Sequence, residues 1–310
     1  MLEKKDYFQG MGMNNKTTGL VCIGIVLLIW GSAFSITKVA VDVVPPFLLA
    51  FLRNLVASLI LLPMYLLRRK KQPQAGVPFL KIILLGLTGV TLFYTFFNWA
   101  LVYTSAAAGA LIQGIMPVAV ALPAVFFLKE KLSKRMIAGI ILSVAGVFLI
   151  GFINTPSNTG NPILGNFLMV LSVFAWAGYT VLAKSVHHAD PLVVPALSTI
   201  AGTIFLLPLP VVELWGQPFP AIPARAWTAI IYLGAFSSAL SYILYNIALK
   251  KLSATQVGNF LNLDPVIGAT IAVIFLKDLI TNWQIAGGVL VIAGIWLSME
   301  RESQVDKLIG

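Results

Sequence analysis

Gln113-Gly114-Ile115-Met116-Pro117-Val118 leads into Phe127-Leu128-Lys129-Glu130, and Leu261-Asn262-Leu263-Asp264-Pro265-Val266 leads into Phe275-Leu276-Lys277-Asp278. The two stretches stand at a constant offset of 148 residues. The match runs on, with Ile137-Ala138-Gly139 returning as Ile285-Ala286-Gly287 and Ala145-Gly146 as Ala293-Gly294. Upstream, Asn98, Ala100, Leu101, Ser105 and Ala106 return as Asn246, Ala248, Leu249, Ser253 and Ala254. Trp30, Lys38 and Pro45 return as Trp176, Lys184 and Pro191, at an offset of 146. The chain is written twice.

Each copy reads as five apolar spans. They are Thr18–Val41, Pro46–Leu67, Lys81–Leu101, Ser105–Phe127 and Met136–Phe152, then Leu164–Ala183, Leu192–Val212, Trp227–Leu249, Ala254–Leu276 and Trp283–Ser298. Spans of about 20 residues cross a hydrocarbon core. Only 10% of the 310 residues are charged and mean hydropathy is +0.93. A soluble domain carries about 25% charged residues, so this is a polytopic membrane protein. The expected fold is all-α, with ten transmembrane helices in two five-helix repeats. An odd number of spans per copy sends the second copy in from the opposite side, the inverted-repeat architecture of carriers with a midplane site. The expected organisation is a flexible cytoplasmic N-terminus over 1–17, a first repeat over 18–152, a second over 163–300 and a cytoplasmic tail over 301–310.

A formal charge of +10 invites a nucleic-acid partner, but the placement of the charge gives a different answer. With the N-terminus inside, all but four of the 21 basic residues fall on inner segments. The exceptions are Arg225 and Lys277 in outer loops, and Lys38 and Arg53 in or at the edge of a span. This is the positive-inside bias. It predicts both termini in the cytoplasm, in the setting of a bacterial inner membrane. Trp215, Trp227 and Trp283 then fall near the outer interface, where aromatic belts form. The first span is too long for a cleavable signal and reads as a retained helix. A single cysteine, Cys22, excludes a disulfide within the chain. The only histidines, His187 and His188, sit beside Asp190 with no partnering motif, so no metal and no cofactor is expected.

Several of these residues resemble a known repeat. Gln113–Val118 running to Phe127–Leu132, and Leu263–Val266 running to Phe275–Asp278, look like the end of an EamA repeat. Trp30-Gly31-Ser32-Ala33-Phe34 resembles its opening, and Phe51-Leu52-Arg53 the start of its second helix. Over residues 18–300 the chain resembles a ten-helix member of the EamA family in the drug/metabolite transporter superfamily. The resemblance implies two inverted five-helix halves that move small metabolites, often outward. Amino acids, sugars, nucleotide derivatives and drugs are the substrate classes it brings with it, and several relatives export amino acids.

The residues that could carry transport lie in the spans. Asp264, deep in the ninth, costs on the order of 3 kcal/mol as a charge there, so it has a partner, faces water or is protonated. It reads as a substrate-ammonium or proton-coupling site, or as a structural carboxylate beside a kink. Pro117 and Pro265 each remove a backbone hydrogen bond, which places these kinks beside a cavity or a packed neighbour. Gln113, Asn259 and Asn262 lie near them, as cavity polar groups or as interhelical glue. Trp30 and Trp176 fall at mid-depth, where an indole N–H needs a polar partner. Tyr179 lies one turn beyond Trp176. Asn98 and Asn246 close the aromatic stretches Tyr94–Trp99 and Tyr242–Asn246, so with Tyr94, Trp99, Tyr242 and Tyr245 they read as path and gate residues, or again as glue. Arg53 could meet a substrate carboxylate or Asp264, or snorkel. Lys38 is expected to snorkel outward, and Lys129/Glu130 and Lys277/Asp278 to form ion pairs at opposite faces.

These readings converge on a secondary transporter, an exporter of small neutral or zwitterionic metabolites such as amino acids, working by alternating access. Its expected partners are a small-molecule substrate, the bilayer and a coupled proton, with no nucleic acid. Sugar phosphates would want several intramembrane cations, and only Arg53 lies deep. Two alternatives stay open. One is a multidrug cation/proton antiporter with Asp264 as its carboxylate, since Thr18–Val41 contains no Asp or Glu. The other is a membrane-embedded enzyme or lipid-handling protein, which should show clustered His, Asp or Glu.

Overall fold

The computed structural model describes residues 15–71, 77–116, 118–119, 134–152, 161–186, 190, 192–252, 260–261 and 263–298. Among these residues there are helices and no strand. In chain order, α1 is Asn15–Val41, α2 is Pro46–Lys71, and α3 is Phe79–Gly86 followed by a wide π segment Leu87–Leu92 and Phe93–Tyr103. α4 is Ala106–Gln113, α5 is Lys134–Phe152, and α6 is Pro162–Lys184. α7 is Val193–Leu206 continued by Pro208–Glu213, and α8 is Ala224–Tyr232, a second π segment Leu233–Leu240, and Ser241–Lys251. α9 is Asp264–Ile271 with Ala272–Leu276 following, and α10 is Asn282–Ser298. Six of these runs are long and apolar enough to cross a membrane: those in α1, α2, α3, α6, α7 and α8. Shorter apolar stretches lie in α5, α9 and α10. Several spans begin earlier than their hydropathy suggests, among them the third, at Phe79 rather than Lys81, and the eighth, at Ala224 rather than Trp227. Pro78 and Pro223 stand immediately before these two and set their starts. Pro117, Asn259, Asn262, Lys129, Glu130 and the two termini up to Asn14 and from 299 lie outside the described residues.

Helix starts are fixed by oxygen acceptors for orphan N–H groups. Ser105 caps α4 through Ala108 N–H (3.1 Å), and Asp278 Oδ2 accepts from Ala107 N–H at 3.0 Å. Asp278 is therefore a cap brought in from the loop after α9, where its expected role was an ion pair with Lys277. Asn161 caps α6 with Pro162 in its first turn. Thr281 and Gln284 exchange bonds at the start of α10, a capping box (3.0 and 3.2 Å). Glu213, at the end of α7, accepts from Phe47 N–H (3.2 Å) and Leu48 N–H (2.9 Å) at the start of α2.

The bundle is packed through small residues, the usual means of bringing helices together in lipid. The α5–α10 pair is antiparallel and glycine-lined. A Cβ on Gly146 would stand 2.5 Å from Gly287 O, and one on Gly294 2.6 Å from Gly139 O. α3 meets α7 where Gly86 faces Gly202. α8 meets α2 where a Cβ on Gly234 would stand 2.6 Å from Arg53 O. α2 and α7 are joined along their length. Glu213 holds one end, Ser58 and Thr203 share a 2.9 Å hydrogen bond midway, and Arg68 Nε reaches Asp190 Oδ2 at 2.9 Å at the other end. The remaining large contacts are α1 on α8, α6 on α3, α1 on α9, α6 on α4, and α4 on α9. Large apolar side chains such as Leu28, Leu59, Ile141, Val212, Val289 and Trp296 remain exposed. An apolar exterior over a core that holds Arg53, Asn54, Asn98 and Asn166 is the arrangement of a protein dissolved in lipid.

Candidate functional site

The core polar cluster is built around two pairs of residues that are equivalent in the sequence repeat. Trp30 on α1 and Trp176 on α6 meet edge to face, with centroids 6.0 Å apart. Tyr94 on α3 and Tyr242 on α8 share a hydrogen bond between their hydroxyls at 3.3 Å. Trp30 also touches Tyr242 and Tyr245 (6.3 and 5.6 Å), and Trp176 touches Tyr242 (5.7 Å), Tyr179 (4.9 Å) and Phe93 (5.0 Å). Tyr94, Tyr179 and Tyr242 are buried, while Trp30, Trp176 and Tyr245 are half-buried. The Trp30 indole N–H donates to Ser237 O at 3.1 Å, which gives it a polar partner inside the bundle.

The helices are locally remade around this cluster. The π segments of α3 and α8 occupy equivalent places in the two copies and present Gly89 and Ser237 at equivalent positions. A Cβ on Gly89 would overlap the Tyr179 ring, so the glycine is what lets that ring lie against α3. The extra residue of a π turn leaves carbonyls off-register. Thr91 Oγ1 donates to Gly86 O and Ser241 Oγ to Phe236 O, each five residues back (3.3 and 2.8 Å). π turns of this kind gather at functional sites.

A second discontinuity flanks the cluster. In α4 the backbone tightens to three-residue turns at Gly114 (to Leu111 O, 3.1 Å) and Ile115 (to Ile112 O, 3.2 Å). The equivalent Leu263 does the same (to Phe260 O, 3.0 Å) before Asp264 and Pro265 open α9. Asp264 Oδ1 is buried with no hydrogen-bond partner. Gly31, next to Trp30, is close enough to α9 that a Cβ would meet Ile267 at 2.7 Å. The break therefore lies beside the aromatic cluster. Gln113 donates to Met169 Sδ at 3.7 Å.

Arg53 is 1% exposed, and its guanidinium carbon lies 4.2 Å over the Tyr94 ring. Nη2 donates to Ser237 Oγ (3.2 Å) and Ser238 Oγ (3.4 Å). Tyr94 Oη lies 3.3 Å from Ser238 Oγ and closes the ring. Ser237, Ser238 and Phe93 belong to the site and are not singled out by sequence reasoning. The paired serines one turn before Tyr242, in an otherwise apolar run, are the signal that could have found the first two.

Other expected residues stand apart. Asn98 Nδ2 donates to Pro46 O (3.2 Å), tying α3 to the start of α2, and Asn246 donates to Tyr242 O on its own helix (2.7 Å). Trp99 packs on Phe47 (5.6 Å) near that same end. Lys38 does not extend outward; its Nζ donates to Leu101 O at 2.8 Å, on the last turn of α3, where a cation suits the free carbonyls and the helix dipole.

The profile of the EamA-like transporter family matches residues 17–152 and again residues 163–299. The chain belongs to this family. The protein is an integral membrane transporter of the drug/metabolite superfamily. It is 32% identical over 294 residues to an uncharacterized transporter of Archaeoglobus fulgidus, covering 94% of this chain and 100% of that one. It is 28% identical over 280 residues to a probable terminal-alkyne amino-acid exporter of Streptantibioticus cattleyicolor, covering 89% of this chain and 92% of the relative. A protein of known crystal structure, 18% identical, aligns with a TM-score of 0.64 over 95% of this chain and all of its own, a likeness of fold.

Proposed function

We propose that this transporter exports small zwitterionic metabolites, amino acids being the class, by alternating access between two inverted five-helix halves. The observation that carries this reading is the meeting of Trp30 with Trp176 and of Tyr94 with Tyr242 at the core. Equivalent residues of two copies touch only on the axis that relates them, and an inverted-repeat carrier binds on that axis near mid-membrane. The packing supports the inverted arrangement. Exchanging the copies turns α1 on α8 into α6 on α3, α2 on α8 into α7 on α3, and α1 on α9 into α6 on α4. The pairs α2–α7, α4–α9 and α5–α10 exchange into themselves. On this reading the chain crosses the membrane ten times, residues 18–152 and 163–300 are the halves, and both termini lie in the cytoplasm of a bacterial cell.

A zwitterion suits a core that holds the cation Arg53 over the Tyr94 ring and the acid Asp264 at the start of α9, the helix that packs on α1 at Gly31, next to Trp30. The amino-acid class is supported by the name of the Streptantibioticus relative. Asp264, with a buried oxygen lacking a partner, is the candidate for the substrate ammonium or a coupled proton. The test is counterflow in proteoliposomes loaded with a panel of radiolabelled amino acids, with and without a pH gradient, beside Asp264→Asn. Saturable counterflow of one amino-acid class supports the reading, and exchange without pH dependence in Asp264→Asn assigns the coupling. Exchange of organic cations in place of amino acids would replace it with a cation/proton antiporter.

A further inference from the structure

Arg53 is a cation in the bundle interior, and among the described residues it has no anion beside it. Among the described residues the ion pair is Arg68–Asp190, at the far end of α2, and no Asp or Glu reaches the Arg53 guanidinium. Of its five N–H donors, those on Nε and Nη1 have no acceptor. A buried charge left uncompensated is among the most costly features a fold can hold, and an ionisable residue inside a membrane marks a functional site by default.

The repeat separates a structural from a functional reason for it. The position equivalent to Arg53 is Thr199, and the positions equivalent to Ser237 and Ser238 are Gly89 and Val90. The second copy builds the same helix junction without the cation and without the paired serines, with Gly86 against Gly202 where Gly234 meets α2 and Thr91 Oγ1 donating to Gly202 O. The fold does not need the guanidinium at this junction. The serines and the Tyr94 ring hold it in place and leave the donors on its other edges free.

We infer that Arg53 receives a carboxylate of the transported solute, with Ser237 and Ser238 as positioning residues and the Trp30, Trp176 and Tyr242 rings taking the remainder of the molecule. This rests on the reading of the aromatic cluster as the transport site and narrows its substrates to those bearing a carboxylate. One guanidinium matches one planar monoanion. A phosphate dianion would need a second cation, and Lys38 is committed to Leu101 O. Arg53 is closed from solvent in this conformation, so the carboxylate enters when the halves part.

The test uses the purified full-length transporter in micelles, read by tryptophan fluorescence and by thermal unfolding. Two matched series are titrated: phenylalanine, 3-phenylpropionate and phenethylamine, and alanine, propionate and ethylamine. Within a series the carbon skeleton is kept while the carboxylate or the amino group is removed. The inference predicts a saturable response to a carboxylate of at least one series, with the matched amine at least tenfold weaker. It also predicts at least a tenfold loss of that response in Arg53→Gln and a smaller loss in the Ser237→Ala, Ser238→Ala double variant. Amines as effective as carboxylates, no response to any carboxylate, or an unchanged response in Arg53→Gln would overturn it. If Arg53→Gln does not fold, the wild-type series decides alone. Response to 3-phenylpropionate or propionate without response to the amino acids would keep the carboxylate site and remove the zwitterion reading.

Discussion

Gly146→Ala tests the packing that holds the two copies together at α5 and α10. The new Cβ would stand 2.5 Å from Gly287 O and 2.8 Å from Val291 N, where ordinary contact begins near 3.4 Å. Both obstacles are backbone, so no rotamer change relieves the clash and the helices must separate by about 1 Å. A gap of that size forfeits a quarter to a half of each dispersion contact, itself worth about 0.1–0.2 kcal/mol. Over a seam of a few tens of contacts the loss is about 1–3 kcal/mol, the usual cost of overpacking. The gain in helix propensity of about 1 kcal/mol leaves a net destabilisation of about 0–2 kcal/mol, against a net gain where the same substitution meets no obstacle. Gly294→Ala, the repeat equivalent, meets Ser143 Oγ and Gly139 O and should cost the same. Gly24→Ala meets nothing within 4 Å and should be neutral or slightly stabilising. The assay is thermal unfolding in micelles. If Gly146→Ala and Gly24→Ala behave alike, the glycine seam does not hold these helices and the argument is wrong.

Glu213→Ala should destabilise by about 1 kcal/mol, because two N–H groups at the start of α2 lose a charged acceptor; thermal unfolding checks it, and Glu213→Gln should recover part of the loss. Arg68→Ala should change stability by less than about 1 kcal/mol, since the arginine side chain of that pair is 47% exposed. Gly89→Ala should reduce transport more than stability, because the displaced Tyr179 ring leaves Trp176; counterflow beside an unfolding curve separates the two effects.

Much of this was legible in the chain. The offset repeat picked out Trp30 and Trp176 as equivalent residues, and Tyr94 and Tyr242 open the aromatic stretches that hold the equivalent Asn98 and Asn246; both pairs meet at the core. The unusual charge depth of Arg53 and Asp264 marked both, and each carries buried atoms without partners. What was not legible follows from lipid as solvent. A helix apolar on every face carries little information about its rotation, so Asn98 gave no sign of reaching Pro46 O, nor Asn246 of bonding its own helix. Ser237 and Ser238 owe their place to a π turn, which shifts helical phase by one residue and leaves no composition mark. Asp278 looked like the partner of its neighbour Lys277, but the orphan N–H groups of α4 take it. Sequence adjacency suggested the ion pair, and only the fold brings the helix start within reach.

Opposed movement of the two ends of the bundle is the most direct test of alternating access between the copies. Spin labels at Asp42 and Gln217 report the end where α2 begins, and labels at Pro78 and Ser185 report the opposite end; all four positions are exposed. Double electron–electron resonance is recorded in nanodiscs with and without an amino acid that the protein exchanges. The account predicts reciprocal changes, with one pair lengthening as the other shortens. Distances that stay fixed at both ends, or shift together, in a preparation with active counterflow would contradict it.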